Sequence, residues 1–141
     1  MKHPLHPALV HFPVACWSLA TVMDVAVWLG AAWPPQSFAA ALLVGGLVLG
    51  LLAAAAGFWE FLNLPAGHPA EQDAQSHMAL ALCSWCLYAG SLFFRTSHSQ
   101  LIPMTPIALL LSVLGFAVLL AAGWMGGRLV YGRGVGVTPQ V

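Results

Sequence analysis

Four apolar runs, each long enough to cross a bilayer and each closed by proline, glycine, serine or charge, decide what this chain can fold into. A bilayer-crossing helix needs about 20 mostly apolar residues, and such runs extend over about residues 7–29, 37–62, 71–94 and 105–131. The first closes at Gly30-Ala31-Ala32-Trp33-Pro34-Pro35, the second at Asn63-Leu64-Pro65-Ala66-Gly67-His68-Pro69 and the third at Arg95-Thr96-Ser97-His98-Ser99. Ser37 is a candidate N-cap for the second helix. Glu71 and Asp73 suit the positive end of the third, and Thr105-Pro106 supplies the fourth with a cap and a proline at its first position. Composition agrees: 141 residues hold one domain, and 6% charged residues stand far below the soluble average of about 25%. The expectation is an all-α, integral membrane four-helix up-down bundle spanning residues 1–141 in a lipid bilayer.

Four basic and four acidic residues give zero formal net charge, so no basic surface exists for nucleic acid and that class is set aside. The start lacks the pattern of a secretory signal, so the first segment is expected to stay in the mature chain. Cys16, Cys83 and Cys86 lie in apolar runs, where packing is their ordinary role. Short loops impose an up-down-up-down path. The start of helix one, the end of helix two, the start of helix three and the end of helix four then share one boundary. Lys2, Arg128 and Arg133 lie there and Arg95 at the other, so the positive-inside bias predicts a cytoplasmic shared face with both termini on it.

On that face the sequence places His6 and His11 from helix one, Glu60 from helix two, His77 from helix three, and Arg128 and Tyr131 from helix four. Residues three, four and seven apart share a helical face. The row His77, Ala81, Ser84, Tyr88, Ser91 is small and polar, so His77 is expected to point inward. The row Gly46, Gly50, Ala53 or Ala54, Gly57 permits close helix approach, and Glu60 continues it. His11 is followed by Ala15, Ser18 and Thr21 or Val22 and is expected to meet the same interior. Gly123 and Gly127 form a small-xxx-small pair on helix four. Pro13 removes a helix bond to Leu9 and biases Phe12, so helix one is expected to begin late or kink, and a freed carbonyl there could orient an imidazole.

The opening from His6-Pro7 through Val10-His11-Phe12-Pro13, Gly57 with Glu60, His77, and Gly123-Trp124-Met125-Gly126-Gly127-Arg128-Leu129-Val130-Tyr131 followed by Gly134-Val135-Gly136-Val137 resemble a bacterial family of four-helix membrane proteins of unknown function. The resemblance covers nearly the whole chain and implies a multi-pass protein of the bacterial inner membrane. Members of that family tend to carry Asp at the position of Glu60 and often His at that of Arg133, so no ligand role is carried over to Arg133. Some members are fused to Rieske-type iron–sulfur domains, which implies redox company and no established activity.

Three functional classes are compatible with these residues. The first is one b-type haem held axially by His11 and His77, with Gly57 and Gly123 or Gly127 giving clearance and Arg128 near a propionate. Its potential would follow ligand identity, burial and outer hydrogen bonds. Electrons would pass to or from an iron–sulfur protein or a cytochrome at the cytoplasmic face. The second is a Zn, Fe or Cu ion held by His6, His11, Glu60 and His77. The third is a structural or assembly subunit, or half of a small transporter, and a homo-oligomer is compatible with any of them. Other conspicuous residues take plainer readings. Cys83-Ser84-Trp85-Cys86 lacks the helix-terminal setting of a reactive thiolate, and Asp24, near the far boundary, is read as structural. His3, His68 and His98 are read as solvated, the tryptophans as interfacial or packing bulk, and the glycine-rich tail as flexible. No Ser-His-Asp order and no phosphate-binding loop occurs, so hydrolase and NTPase chemistry has no support.

Overall fold

A computed structural model of the chain describes residues 5–33, 35–98 and 100–135. The expectations for Lys2, His3 and the tail beyond Val135 concern residues outside these. Four helices follow one another: α1 (Leu5–Trp28), α2 (Gln36–Leu62), α3 (Glu71–Phe93) and α4 (Pro106–Gly127). The last continues into a π-helical turn, Arg128–Gly132, and the α3–α4 connection carries a small antiparallel hairpin, β1 (Thr96–Ser97) with β2 (Gln100–Leu101). All four helices are long and apolar enough to cross a membrane.

The helix ends follow from local chemistry. Gly30 takes φ 94° beyond α1, and its N–H reaches Val27 O while that of Ala31 reaches Ala26 O, both at 3.0 Å. This is the glycine-terminated C-cap that satisfies orphan carbonyls. Thr105 Oγ1 accepts the Ala108 N–H at 3.2 Å and donates to Phe94 O at 3.2 Å, so it caps α4 and ties it to the end of α3. Thr105→Ala is expected to cost about 1 kcal/mol, the usual worth of an N-cap, measured as a fall in Tm in detergent.

Two local expectations are corrected. Ser37 is not the cap of α2: the extended Pro35 (ψ 147°) occupies that position without a side-chain bond, and Ser37 lies inside the first turn. Of the two outcomes expected of Pro13, a late start or a kink, the late start does not occur. Helix α1 starts at Leu5 and runs through Pro13, whose ring is fully buried in the bundle.

Packing is inverted relative to a water-soluble bundle. Large apolar side chains such as Leu19, Val48, Leu82, Leu110 and Leu120 face outward, while Ala39, Ala53, Ser84, Ser112 and Ala122 lie inside. Lipid tails are as apolar as leucine, so association depends on close approach and interhelical hydrogen bonds rather than on burying leucine. α1 packs mainly on α2 and α3 mainly on α4, while α2 with α3 and α4 with α1 meet more narrowly. The order around the bundle is therefore α1, α2, α3, α4, with α1 diagonal to α3. At the centre the Trp17 and Tyr88 rings stack at 5.0 Å and 14°. A Cβ at Gly50 would lie 2.9 Å from the Trp17 ring and one at Gly115 would lie 3.2 Å from the Tyr88 ring, so these glycines make room for the stack.

Candidate functional site

His6 in the first turn of α1 and His77 in the second turn of α3 face each other across the diagonal of the bundle, ring centroids 6.0 Å apart and planes at 81°. His6 Nδ1 lies 2.8 Å from the Ala53 carbonyl on α2, and His77 Nδ1 lies 2.9 Å from the Ala122 carbonyl on α4. A carbonyl only accepts, so each Nδ1 carries a proton and donates it. In the neutral ring Nε2 then keeps its lone pair, and it makes no hydrogen bond among the described residues. A ligating imidazole is prepared in this way, one nitrogen held by an acceptor and the other presented.

Each ring rests on a glycine one turn beyond its carbonyl. A Cβ at Gly57 would come 2.8 Å from His6 Nδ1, and one at Gly126 would come 3.2 Å from His77 Cε1. Glu60, three residues beyond Gly57, accepts the backbone N–H of His6 at 3.1 Å. That N–H belongs to the first turn of α1, where a helix has no acceptor of its own, so Glu60 caps one helix from another and fixes the backbone that carries His6. One turn before His77, Asp73 holds Arg128 at 3.4 Å and Arg133 at 2.9 Å, which ties the π-helical turn to the start of α3.

Of the residues singled out in the sequence, His6, Gly57, Glu60 and His77 come together. His11 does not. It is exposed on the outer face of α1, so the axial pair His11–His77 and the four-ligand set that includes His11 are not assembled. Gly123 and Gly127 have nothing within 4 Å of an added Cβ, and the glycine against His77 is Gly126. Arg128 is engaged by Asp73, and Tyr131 is 92% exposed. Among the described residues no group of three or more His, Cys, Asp or Glu converges as a metal site.

A signal for His6 was present. Asp24 is the one acidic residue in helix one and favours the interior; His6 precedes it by 18 residues, which is five turns at about 3.6 residues per turn. His11 precedes it by 13 residues, about 3.6 turns, and falls on the opposite face.

Below the histidines a polar spine follows the α3 stripe. Ser84 Oγ donates to Gly115 O at 3.0 Å and Ser91 Oγ to Ala108 O at 2.7 Å. Thr21 Oγ1 lies 3.0 Å from the Tyr88 hydroxyl and 3.1 Å from Ser112 Oγ. At the far end Arg95 grips both Asp24 oxygens, Nη1 to Oδ1 at 2.9 Å and Nη2 to Oδ2 at 2.7 Å. Both side chains are sealed from the surface, at 3% and 0% exposure. The sequence reading placed Arg95 in a polar stop, yet it is the partner of Asp24 inside the bundle, because bare charge at that depth needs a counter-ion. The structural reading of Asp24 fits that pairing.

No curated protein and no solved structure matches the chain. A family model described as a predicted membrane protein, DUF2231, matches residues 2–139. The match spans nearly the whole sequence, and the chain belongs to that family of membrane proteins.

Proposed function

We propose that this multi-pass membrane protein holds one b-type haem between His6 and His77 and acts as an electron carrier. The observation that carries the reading is the pair of imidazoles 6.0 Å apart, each with Nδ1 tied to a carbonyl and Nε2 left over. A metal centre bound here would draw on the free Nε2 of one imidazole from α1 and one from α3. Haem iron already has four porphyrin nitrogens and asks the protein for two axial ligands. A bare zinc ion asks for three or four, and among the described residues no group of three or more His, Cys, Asp or Glu forms around the two imidazoles.

When bound, haem supplies a one-electron couple. The residues of the chain that would hold it are the two histidines, with the Ala53 and Ala122 carbonyls fixing their tautomers and Gly57 and Gly126 setting the ring positions. Electron exchange with an iron–sulfur protein or a cytochrome would take place at this end of the bundle. The basic residues Arg128 and Arg133 favour placing it on the cytoplasmic side of a bacterial inner membrane.

The test is a reduced-minus-oxidised visible spectrum of protein purified from its native membrane, with metal analysis of the same sample. Sharp reduced α and β bands are expected, lost in His6→Ala and His77→Ala and kept in His11→Ala. Loss in His11→Ala comparable to that in His77→Ala would overturn the assignment. A featureless spectrum with stoichiometric Zn, Fe or Cu would replace haem by an ion at the same histidines, with Glu60 recruited.

A further inference from the structure

We infer that the chain is two copies of one helical hairpin, α1–α2 and α3–α4, packed about an approximate two-fold axis through residues that meet their own counterparts, and that the Asp24–Arg95 pair selects which hairpin pairs with which. An offset of 71 residues takes His6 to His77, Trp17 to Tyr88 and Asp24 to Arg95. Each of these residues touches its own counterpart: the imidazoles face each other, the aromatic rings stack and the charges pair. Contact between equivalent residues is what an approximate two-fold axis produces.

The same offset takes the other buried residues of α1, at 13 and 20, to buried residues of α3, with Thr21 the exception. An offset of 69 takes every buried residue of α2 except Ala40 to a buried residue of α4. It also takes the carbonyl of Ala53 to that of Ala122, and Gly57 to Gly126, which are the supports of the two rings. The helix contacts repeat as well, α1 on α2 like α3 on α4. Parallel repeats about an axis along the membrane normal are a known way to build a membrane protein with a central site. Where the halves differ, the differences compensate. The larger Trp17 lies against Gly50, and the smaller Tyr88 shares its cluster with Leu119, the counterpart of Gly50.

The axis makes the far-end pair a recognition device. Two first hairpins would set Asp24 against Asp24 and two second hairpins would set Arg95 against Arg95, both repulsive and buried. Only a first hairpin with a second satisfies the charges. Attraction for the right partner and repulsion for the wrong one act together in this way to give specificity. The inference stands independently of which ligand the histidines hold.

The test uses the full chain in detergent, with Asp24→Arg, Arg95→Asp and the double exchange Asp24→Arg/Arg95→Asp, read as the yield of monodisperse protein and its Tm. Each single variant places like charges on the axis and is expected to lose about tenfold or more in yield, a coupling typical of a broken buried pair. The double exchange is expected to return to within about twofold of the parent, as neighbouring sites that compensate do. A second exchange checks the repeat away from charge. Tyr88→Trp alone should lower Tm, and Trp17→Tyr/Tyr88→Trp/Gly50→Leu/Leu119→Gly should recover it. Double or quadruple exchanges no better than the single variants would show that the halves are not equivalent and would overturn the inference.

Discussion

Arg95→Met is expected to be the most damaging substitution outside the histidine site, costing about 3–5 kcal/mol, the penalty for leaving one member of a buried ion pair without its partner. Both oxygens of Asp24 are spent on the guanidinium, and Ser91 takes the rest of it, Oγ from Nη2 at 2.8 Å and the carbonyl from Nε at 3.3 Å. Removing Arg95 strands a carboxylate with no exposure to solvent. Asp24→Leu/Arg95→Met removes both charges and is expected to recover most of the loss, because apolar replacement of a buried pair is often neutral or better. Thermal unfolding in detergent compares the two. Equal Tm values for the single and double variants would show that water or headgroups reach Asp24. Recovery by the apolar double would mean that the pair contributes discrimination more than stability, as its position on the two-fold axis implies.

How far the residues alone reach is set by what kind of information each element carries. Span length and composition made the four helices readable, because a bilayer imposes a length that four runs satisfy and the breakers between them are proline and glycine. The inward stripes of α2 and α3 were readable too, because small or polar residues at helical spacing have no reason to face lipid: Gly46, Gly50, Ala53, Ser84, Tyr88 and Ser91 are all buried. α1 was misphased. Its start carries two histidines, and the Ala15 and Ser18 row behind His11 is only mildly polar, whereas the true inner face contains Pro13 and Trp17, two residues with no intrinsic inward preference. Asp24 held the correct phase, but its partner Arg95 lies just beyond α3, where local sequence reads as a boundary. The tautomers of His6 and His77 were beyond reach for a different reason. They depend on backbone carbonyls of Ala53 and Ala122, and a carbonyl leaves no mark in a side-chain pattern. The repeat is hidden because its equivalent positions are occupied by unlike residues, Asp for Arg and Trp for Tyr, and only shared burial aligns them.

Gly57→Ala should separate stability from ligand binding. The substitution itself favours the helix by roughly 1 kcal/mol in propensity, and Gly57 lies only partly within the packed interior, so the bundle is expected to remain folded. Yet the new methyl would come 2.8 Å from His6 Nδ1, closer than a real contact allows, and the ring must turn away from the Ala53 carbonyl. Losing an acceptor that orients a ligating imidazole typically costs 10–100-fold in affinity, and that is the loss expected for haem titrated into the cofactor-free protein. Gly126→Ala meets His77 Cε1 at 3.2 Å, which a small ring shift relieves, so its effect should be weaker. Gly123→Ala and Gly127→Ala meet nothing within 4 Å and should leave affinity unchanged. A readout without ligand is the nitrogen-15 spectrum of the histidine rings. His6 and His77 should both show a protonated, hydrogen-bonded Nδ1, and Gly57→Ala should disturb His6 alone. If all four glycine variants bind haem like the parent while that Nδ1 signal persists in each, the glycines do not position the rings and the site is held by the carbonyls alone.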